Sequence, residues 1–192
     1  MLLTPKVFCI GSNKTGTTSL ANALRILNYK VCPEGVLYNE KHNFFKRVSI
    51  QDFNEIFKIV KRYDAFQDRP WNHTDFYKTL DYNFPNSKFI LTIRNPNLWY
   101  ASYTRWAKKS NLKNLWYYRM VSNICYGVDD FLSDRVTMIK KYNKRNTEIQ
   151  EYFSNTNRLL VIDIDSNFNW TTLCDFLDKP IPTTDFPFLN KT

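Results

Sequence analysis

The residues best suited to chemistry in this chain of 192 residues are a lysine and a run of hydroxyls set between two glycines. Residues 11–19 read Gly-Ser-Asn-Lys-Thr-Gly-Thr-Thr-Ser. An apolar run, Val7 to Ile10, precedes them, and apolar positions follow at Leu20, Ala21, Leu24 and Leu27. That spacing predicts a short buried strand, a tight loop and a helix opening at Thr17. Backbone N–H groups and the helix dipole then converge on one spot, which favours an anion. Ser12, Asn13, Lys14, Thr15, Gly16, Thr17, Thr18 and Ser19 are therefore candidate ligands of a phosphate-like group. A second cation, Arg94, ends the apolar run Phe89 to Ile93, which fits a strand buried on both faces of a parallel sheet. Pro96 can start the next helix, with Ser102 about two turns into it. Ligands of open α/β sheets gather at the carboxyl ends of strands. Arg94 is thus expected at the same edge as the 11–19 loop, and a guanidinium binds oxyanions bidentately.

The loop is close to the nucleotide-binding pattern G-x-x-x-x-G-K-[ST], but Thr17 stands where that pattern has its lysine. The lysine lies earlier, at Lys14, where it can neutralise an anion without reaching the outer phosphates of ATP or GTP. A strand–turn–helix corner with no ligand is the plain alternative, because short motifs also arise without function.

Taken in order, these segments resemble the sulfotransferases that use 3′-phosphoadenosine 5′-phosphosulfate. Ser12 to Thr18 is similar to that family's 5′-phosphosulfate loop, and Arg94 with Ser102 eight residues later to its 3′-phosphate clamp. The similarity continues through Asp68-Arg69-Pro70, Arg94-Asn95-Pro96, Trp99-Tyr100 and the stretch from Leu159 to Phe186-Pro187. The resemblance implies a three-layer α/β/α fold with a mostly parallel central sheet, like that of the P-loop NTPases. It implies metal-independent, in-line transfer of a sulfuryl group to an acceptor hydroxyl or amine, leaving adenosine 3′,5′-bisphosphate. Lys14 would then stabilise charge on the bridging oxygen. Asp68, at a strand end, would serve as general base, with His73 as the alternative base. Lys191 would be a further 3′-phosphate contact. The acceptor stays open among small molecules, glycans, lipids and peptides. Trp106, Trp116, Tyr117 and Tyr118 are candidates for its mouth, and Trp71 is one candidate for stacking on adenine. Three competing functions are a P-loop kinase or NTPase, a non-catalytic nucleotide-binding protein of the same fold, and a nucleic-acid binder.

Composition narrows the classes. Hydrophobic residues make up 43% of the chain, ordinary for a folded protein, and the length fits one domain spanning 1–192. The formal net charge is +9. A polyanionic ligand accounts for part of it, and Lys140-Lys141 and Lys144-Arg145 read as a solvated basic face. No nucleic-acid-binding motif accompanies the charge, which disfavours such a partner. Cys9, Cys32, Cys125 and Cys174 lack the spacing of a zinc site or disulfide framework. No metal-ligand cluster, signal peptide or transmembrane run is visible, so the chain reads as cytoplasmic.

Strands alternating with helices must position these groups. Strands are expected at Val7–Ile10, Lys30–Cys32, Ala65–Gln67, Lys88–Ile93 and Leu159–Ile164. Helices are expected from Thr17, around Phe53–Val60, over Thr74–Tyr82 with Asn72 or His73 near the cap, and from Pro96. Others are expected over 114–126, 129–153 and 170–177. Such alternation predicts a three-layer α/β domain with a mostly parallel sheet.

Overall fold

The computed structural model describes residues 5–33, 36, 52–109, 128, 132 and 134–189. Within them the strands are β1 (Val7–Cys9), β2 (Ala65–Phe66), β3 (Lys88–Ile93) and β4 (Leu159–Asp163). The helices are α1 (Thr17–Ile26), α2 (Asn54–Val60), α3 (Phe76–Asn83), α4 (Pro96–Lys109), α5 (Arg135–Tyr152) and α6 (Trp170–Leu177). The sheet order is β2-β1-β3-β4 and every neighbouring pair is parallel.

Side-chain parity sorts the apolar strand residues onto two faces. Phe8, Ile10, Phe66, Phe89 and Leu91 pack against α2, α3 and α5 through Ile56, Leu80 and Ile149. Val7, Cys9, Ala65, Ile90 and Ile162 pack against α1 and α6 through Leu20, Leu24 and Leu173. Both faces are covered, which is why these strands are apolar throughout rather than alternating. The result is the expected three-layer α/β arrangement. A third cluster joins Trp99 and Tyr103 of α4 to Met138 and Tyr142 of α5.

The order of the strands creates the crevice. From β1 the chain crosses through α1 to β2 on one side, then through α3 to β3 on the other. Right-handed crossovers in opposite directions place α1 and α3 on opposite faces. The connections leaving β1 and β3 therefore part at the carboxyl edge, where such sheets bind ligands. The loop after β1 lies hard against β3. A Cβ on Gly11 would stand 2.0 Å from Thr92 Oγ1 and 2.7 Å from both Thr92 N and O. Thr15 Oγ1 fastens the same contact, donating to Ser12 O at 2.5 Å and pairing with Thr92 Oγ1 at 2.6 Å.

Several local expectations change. Lys30–Cys32 contributes only a single bridge, Val31 to Ala65, rather than a strand. The long helix starts at Arg135, where Asp134 accepts the Thr137 N–H at 3.0 Å and closes the N-terminus. Neither Asn72 nor His73 caps α3; Asp75 holds that position, without a side-chain cap bond. Arg145 is not part of a solvated face. Its guanidinium donates to the carbonyls of Ile10 at 3.0 Å and Asn72 at 2.8 Å. Trp71 is buried in the core against Phe8 and Phe66, so it is not placed to stack on a nucleotide. Cys9, Cys32 and Cys174 are buried free thiols. The 114–126 stretch, with Trp116, Tyr117, Tyr118 and Cys125, lies outside the described residues. Among the described residues no helix is long and apolar enough to cross a membrane.

Gly11→Ala is expected to destabilise the protein by about 2 kcal/mol or more, because the new methyl meets backbone that cannot yield. Urea unfolding of the two proteins measures it.

Candidate functional site

Two left-handed residues shape the loop. Lys14 has φ 69° and Gly16 has φ 83°. Gly16 is the N-cap of α1, and no side chain caps the helix. A Cβ there would meet Ile164 Cγ2 and Phe168 Cε1 at 3.1 Å, so both the turn and the packing call for glycine. The N–H groups of a first helical turn have no partner within the helix. Thr17, Thr18 and Ser19, which carry them in α1, line a cavity of about 860 Å³. The Thr17 hydroxyl does not cap; it donates to Asp68 Oδ2 at 3.3 Å.

All four strand ends supply the cavity wall. The β1 loop contributes Asn13 and Lys14, the segment after β2 contributes Asp68 and Arg69, and Arg94 follows β3. Asp165 and Phe168 come from beyond β4, and Phe188 and Leu189 from the C-terminal segment. One stripe of α4 completes it: Ser102, Arg105, Trp106 and Lys109. These lie at i, i+3, i+4 and i+7, a single helix face.

Most of the expected residues thus meet in one place, and three do not. Ser12, Thr15 and His73 are buried away from the lining. Ser12 and Thr15 serve the loop's own hydrogen bonds. His73 is 8% exposed, with Nδ1 paired to the Thr74 hydroxyl at 2.8 Å. It is buried and does not line the cavity, so it is not placed to meet an acceptor there. Burial, and then Arg145, push its pKa down from 6.5 to about 4, against a weaker opposing pull from Asp75. Lys191 lies outside the described residues.

Arg94 is held by its backbone. The Tyr142 hydroxyl accepts the Arg94 N–H at 2.9 Å and donates to the Arg94 carbonyl at 3.2 Å. Tyr142 stacks on Trp99, with ring centroids 4.2 Å apart and planes at 15°. Trp99 Nε1 in turn donates to the Asn13 carbonyl at 3.0 Å. One aromatic pair therefore ties the β3 end to the β1 loop. The Arg94 Nε is buried and makes no hydrogen bond among the described residues; the carboxylate paired with it, Asp165, stands 3.8 Å away. A buried N–H of this kind is costly unless a ligand takes it.

Asp68 is oriented by three donors. Its Oδ1 accepts from the Asn13 amide and from the Arg69 N–H at 2.7 Å, and its Oδ2 from Thr17. Lys14 Nζ lies 5.7 Å from the Trp106 ring centroid, and the Arg69 guanidinium 5.5 Å from the same ring. Burial lowers the Lys14 pKa; Asp68 opposes that, while Arg94, Lys109 and Arg105 add to it. The C-terminal segment is pinned over α1, its Leu189 N–H donating to Ser19 Oγ at 2.8 Å and Phe186 wedged 4.9 Å from Trp170. Ser19 therefore holds this segment with its hydroxyl.

Sequence reasoning passed over Arg105 and Lys109, and quoted Arg69 only within a motif. The helical spacing from Ser102 was a signal that could have found the first two. Asp165 and Phe168 follow β4 in an irregular turn, where periodicity carries no information.

A family model described as a sulfotransferase domain matches residues 6–192. The chain is also similar to the Ava biosynthesis cluster protein M of Aspergillus versicolor. The two are 22% identical over 219 residues, covering 96% of this chain and 80% of that protein.

Two outcomes follow from this geometry. Tyr142→Phe removes both hydrogen bonds to Arg94 and is expected to lower stability by about 1–2 kcal/mol, read by urea unfolding. For His73 the folded pKa of about 4 lies below its ordinary value of 6.5. The unfolded chain then binds more protons between those values, so stability rises with pH across the window. The contribution is complete above about pH 6.5 and is lost as pH falls to about 4, by about 3 kcal/mol. His73→Gln should flatten that part of the stability–pH curve.

Proposed function

We propose that this chain, which belongs to the sulfotransferase domain family, moves a sulfuryl group from 3′-phosphoadenosine 5′-phosphosulfate to an acceptor hydroxyl or amine. It does so as one cytoplasmic domain. The observation that carries the proposal is that Arg94, whose buried Nε makes no hydrogen bond among the described residues, lines the same cavity as the start of α1, which no side chain among them caps. Two separate anion-binding elements on one cavity suit a donor with two separate anionic ends.

Lys14, Gly16, Thr17 and Thr18 would hold the 5′-phosphosulfate, and Arg94 with Ser102 the 3′-phosphate. The donor, once bound, supplies the sulfuryl group: sulfur parts from the phosphate oxygen, which keeps the electron pair, and joins the acceptor oxygen or nitrogen. The chain's own work is positional and electrostatic. Lys14 brings positive charge to the loop, where the phosphate gains charge. The N–H groups at the start of α1 add the helix dipole. Asp68, turned by Asn13, Thr17 and the Arg69 N–H, takes the acceptor's proton on a carboxylate oxygen. Trp99 and Tyr142 keep the two anion-binding elements in register.

Calorimetric titration with adenosine 3′,5′-bisphosphate, beside ATP with magnesium, tests the proposal. The bisphosphate is expected to bind without metal. Arg94→Ala should weaken that binding by about 30-fold or more, the loss of a charge-assisted contact to phosphate. Binding of ATP with magnesium alone would overturn it in favour of a nucleotide-hydrolysing or phosphoryl-transferring protein.

A further inference from the structure

Among the described residues five cations line the cavity, Lys14, Arg69, Arg94, Arg105 and Lys109, against two carboxylates, Asp68 and Asp165. Sulfuryl transfer as proposed above uses Lys14 and Arg94. The side chains of Arg69, Arg105 and Lys109 have no part in it.

Their positions are informative. Arg69 directly follows Asp68, the proton acceptor. Its guanidinium lies 5.5 Å from the centroid of the Trp106 ring, and Lys14 Nζ lies 5.7 Å from that same centroid. Trp106 is thus the common neighbour of the loop lysine and of Arg69. Any molecule that delivers a hydroxyl to Asp68 brings its remaining atoms towards Arg69 and the indole. Arg105 and Lys109 flank Trp106 on the cavity-facing stripe of α4. A neutral, apolar acceptor in that space would strip water from these cations and give nothing in return, which costs binding energy. An anionic one would be drawn in by the focused positive field.

We propose that Arg69, Arg105 and Lys109, with Trp106, form an acceptor subsite that selects acidic compounds. The acceptor's carboxylate or phosphate sits among the three cations, and its body lies on the indole face. The proposal rests on the sulfuryl-transfer assignment and adds the chemical class of the acceptor. It also couples acceptor to chemistry. Arg94, Lys109 and Arg105 all disfavour the charged form of Lys14, and an anion beside the two α4 cations would relieve that pressure.

The test is calorimetric, on protein saturated with adenosine 3′,5′-bisphosphate. The probes are two acid–neutral pairs: 4-hydroxybenzoate with 4-hydroxybenzamide, and glucose 6-phosphate with glucose. The first pair reads a carboxylate and the second a phosphate. At least one acid is expected to bind tenfold or more tighter than its neutral partner. Arg69→Gln, and separately the double substitution Arg105→Gln/Lys109→Gln on exposed α4 positions, should cut that ratio fivefold or more. The bisphosphate affinity should change by less than threefold in either variant. Equal affinity within both pairs, including no measurable binding of either acid, overturns the proposal. So does a large loss of bisphosphate affinity in the variants, which would hand these cations to the donor. Failure of the bisphosphate to bind the wild-type protein is a different result: it removes the donor assignment, and this subsite with it.

Discussion

The site depends on how closely the chain leaving β1 can lie against the end of β3. Gly11 meets the Thr92 backbone with no room for a Cβ, and Thr15 binds across to the Thr92 hydroxyl. That contact sets the distance between two connections that part to opposite sides of the sheet. If it opened, the loop lysine and the strand-end arginine would move independently, and no single anion-bearing ligand could span them. The cost of holding polar backbone this deep is met locally: Ser12 O, Gly11 O and Asn13 O each accept a hydrogen bond, from Thr15, Asn72 and Trp99. A loop that must present N–H groups to a ligand has its carbonyls taken by the protein.

Charge is the second constraint, and packing answers it. Five like charges around one cavity repel, more strongly where Lys14, Arg69 and Arg94 are partly withdrawn from water. The protein responds with few counter-charges and many fixed contacts. Arg94 is held through its peptide group by Tyr142, and a single carboxylate, Asp165, stands 3.8 Å from its Nε. Lys14 and Arg69 both lie near one indole, and an aromatic face accepts a cation without consuming its hydrogen-bonding capacity. Asp68 is the exception, a carboxylate with three donors on it. The arrangement keeps cations in place with few counter-charges, as the proposed anion-binding role requires.

What the chain's own pattern made legible was local. The continuous apolar runs Val7 to Ile10 and Phe89 to Ile93 marked buried strands, and Phe8 and Val7, like Phe89 and Ile90, do pack on opposite sides of the sheet. Arg94 and the 11–19 loop were brought to one edge by the rule that ligands gather at strand ends, and they share a cavity. What stayed hidden was long-range. Arg145 looked solvated because it sits in a run of lysines and polar residues, yet its carbonyl partners lie at Ile10 and Asn72, far away in the chain. His73 and Trp71 were judged by residue type, as base and as stacking ring. Their burial is decided by how the segment between β2 and α3 folds under the sheet, which no spacing encodes. Arg105 and Lys109 were legible in principle, one and two turns beyond Ser102, but exposed cations at the end of a helix ordinarily mean only solubility.

The displaced lysine is the feature that separates this cavity from a nucleotide-hydrolysing one on the same scaffold. A lysine at position 17 would start from the first turn of α1 and extend along the phosphates held by the loop. Thr17 occupies that place and directs its hydroxyl to Asp68. Lys14 instead leaves the loop from a left-handed residue, and its ammonium lies near Trp106 and α4. The charge is thereby moved from the phosphate side of the loop towards the side that carries Asp68 and Arg69. A reaction that transfers a group out of the loop, towards a molecule resting on Trp106, has its positive charge where that group departs. A reaction that hydrolyses an outer phosphate would need it three residues later. In the reaction proposed for this chain, the same displacement would set the charge of the acceptor and the protonation of Lys14 together.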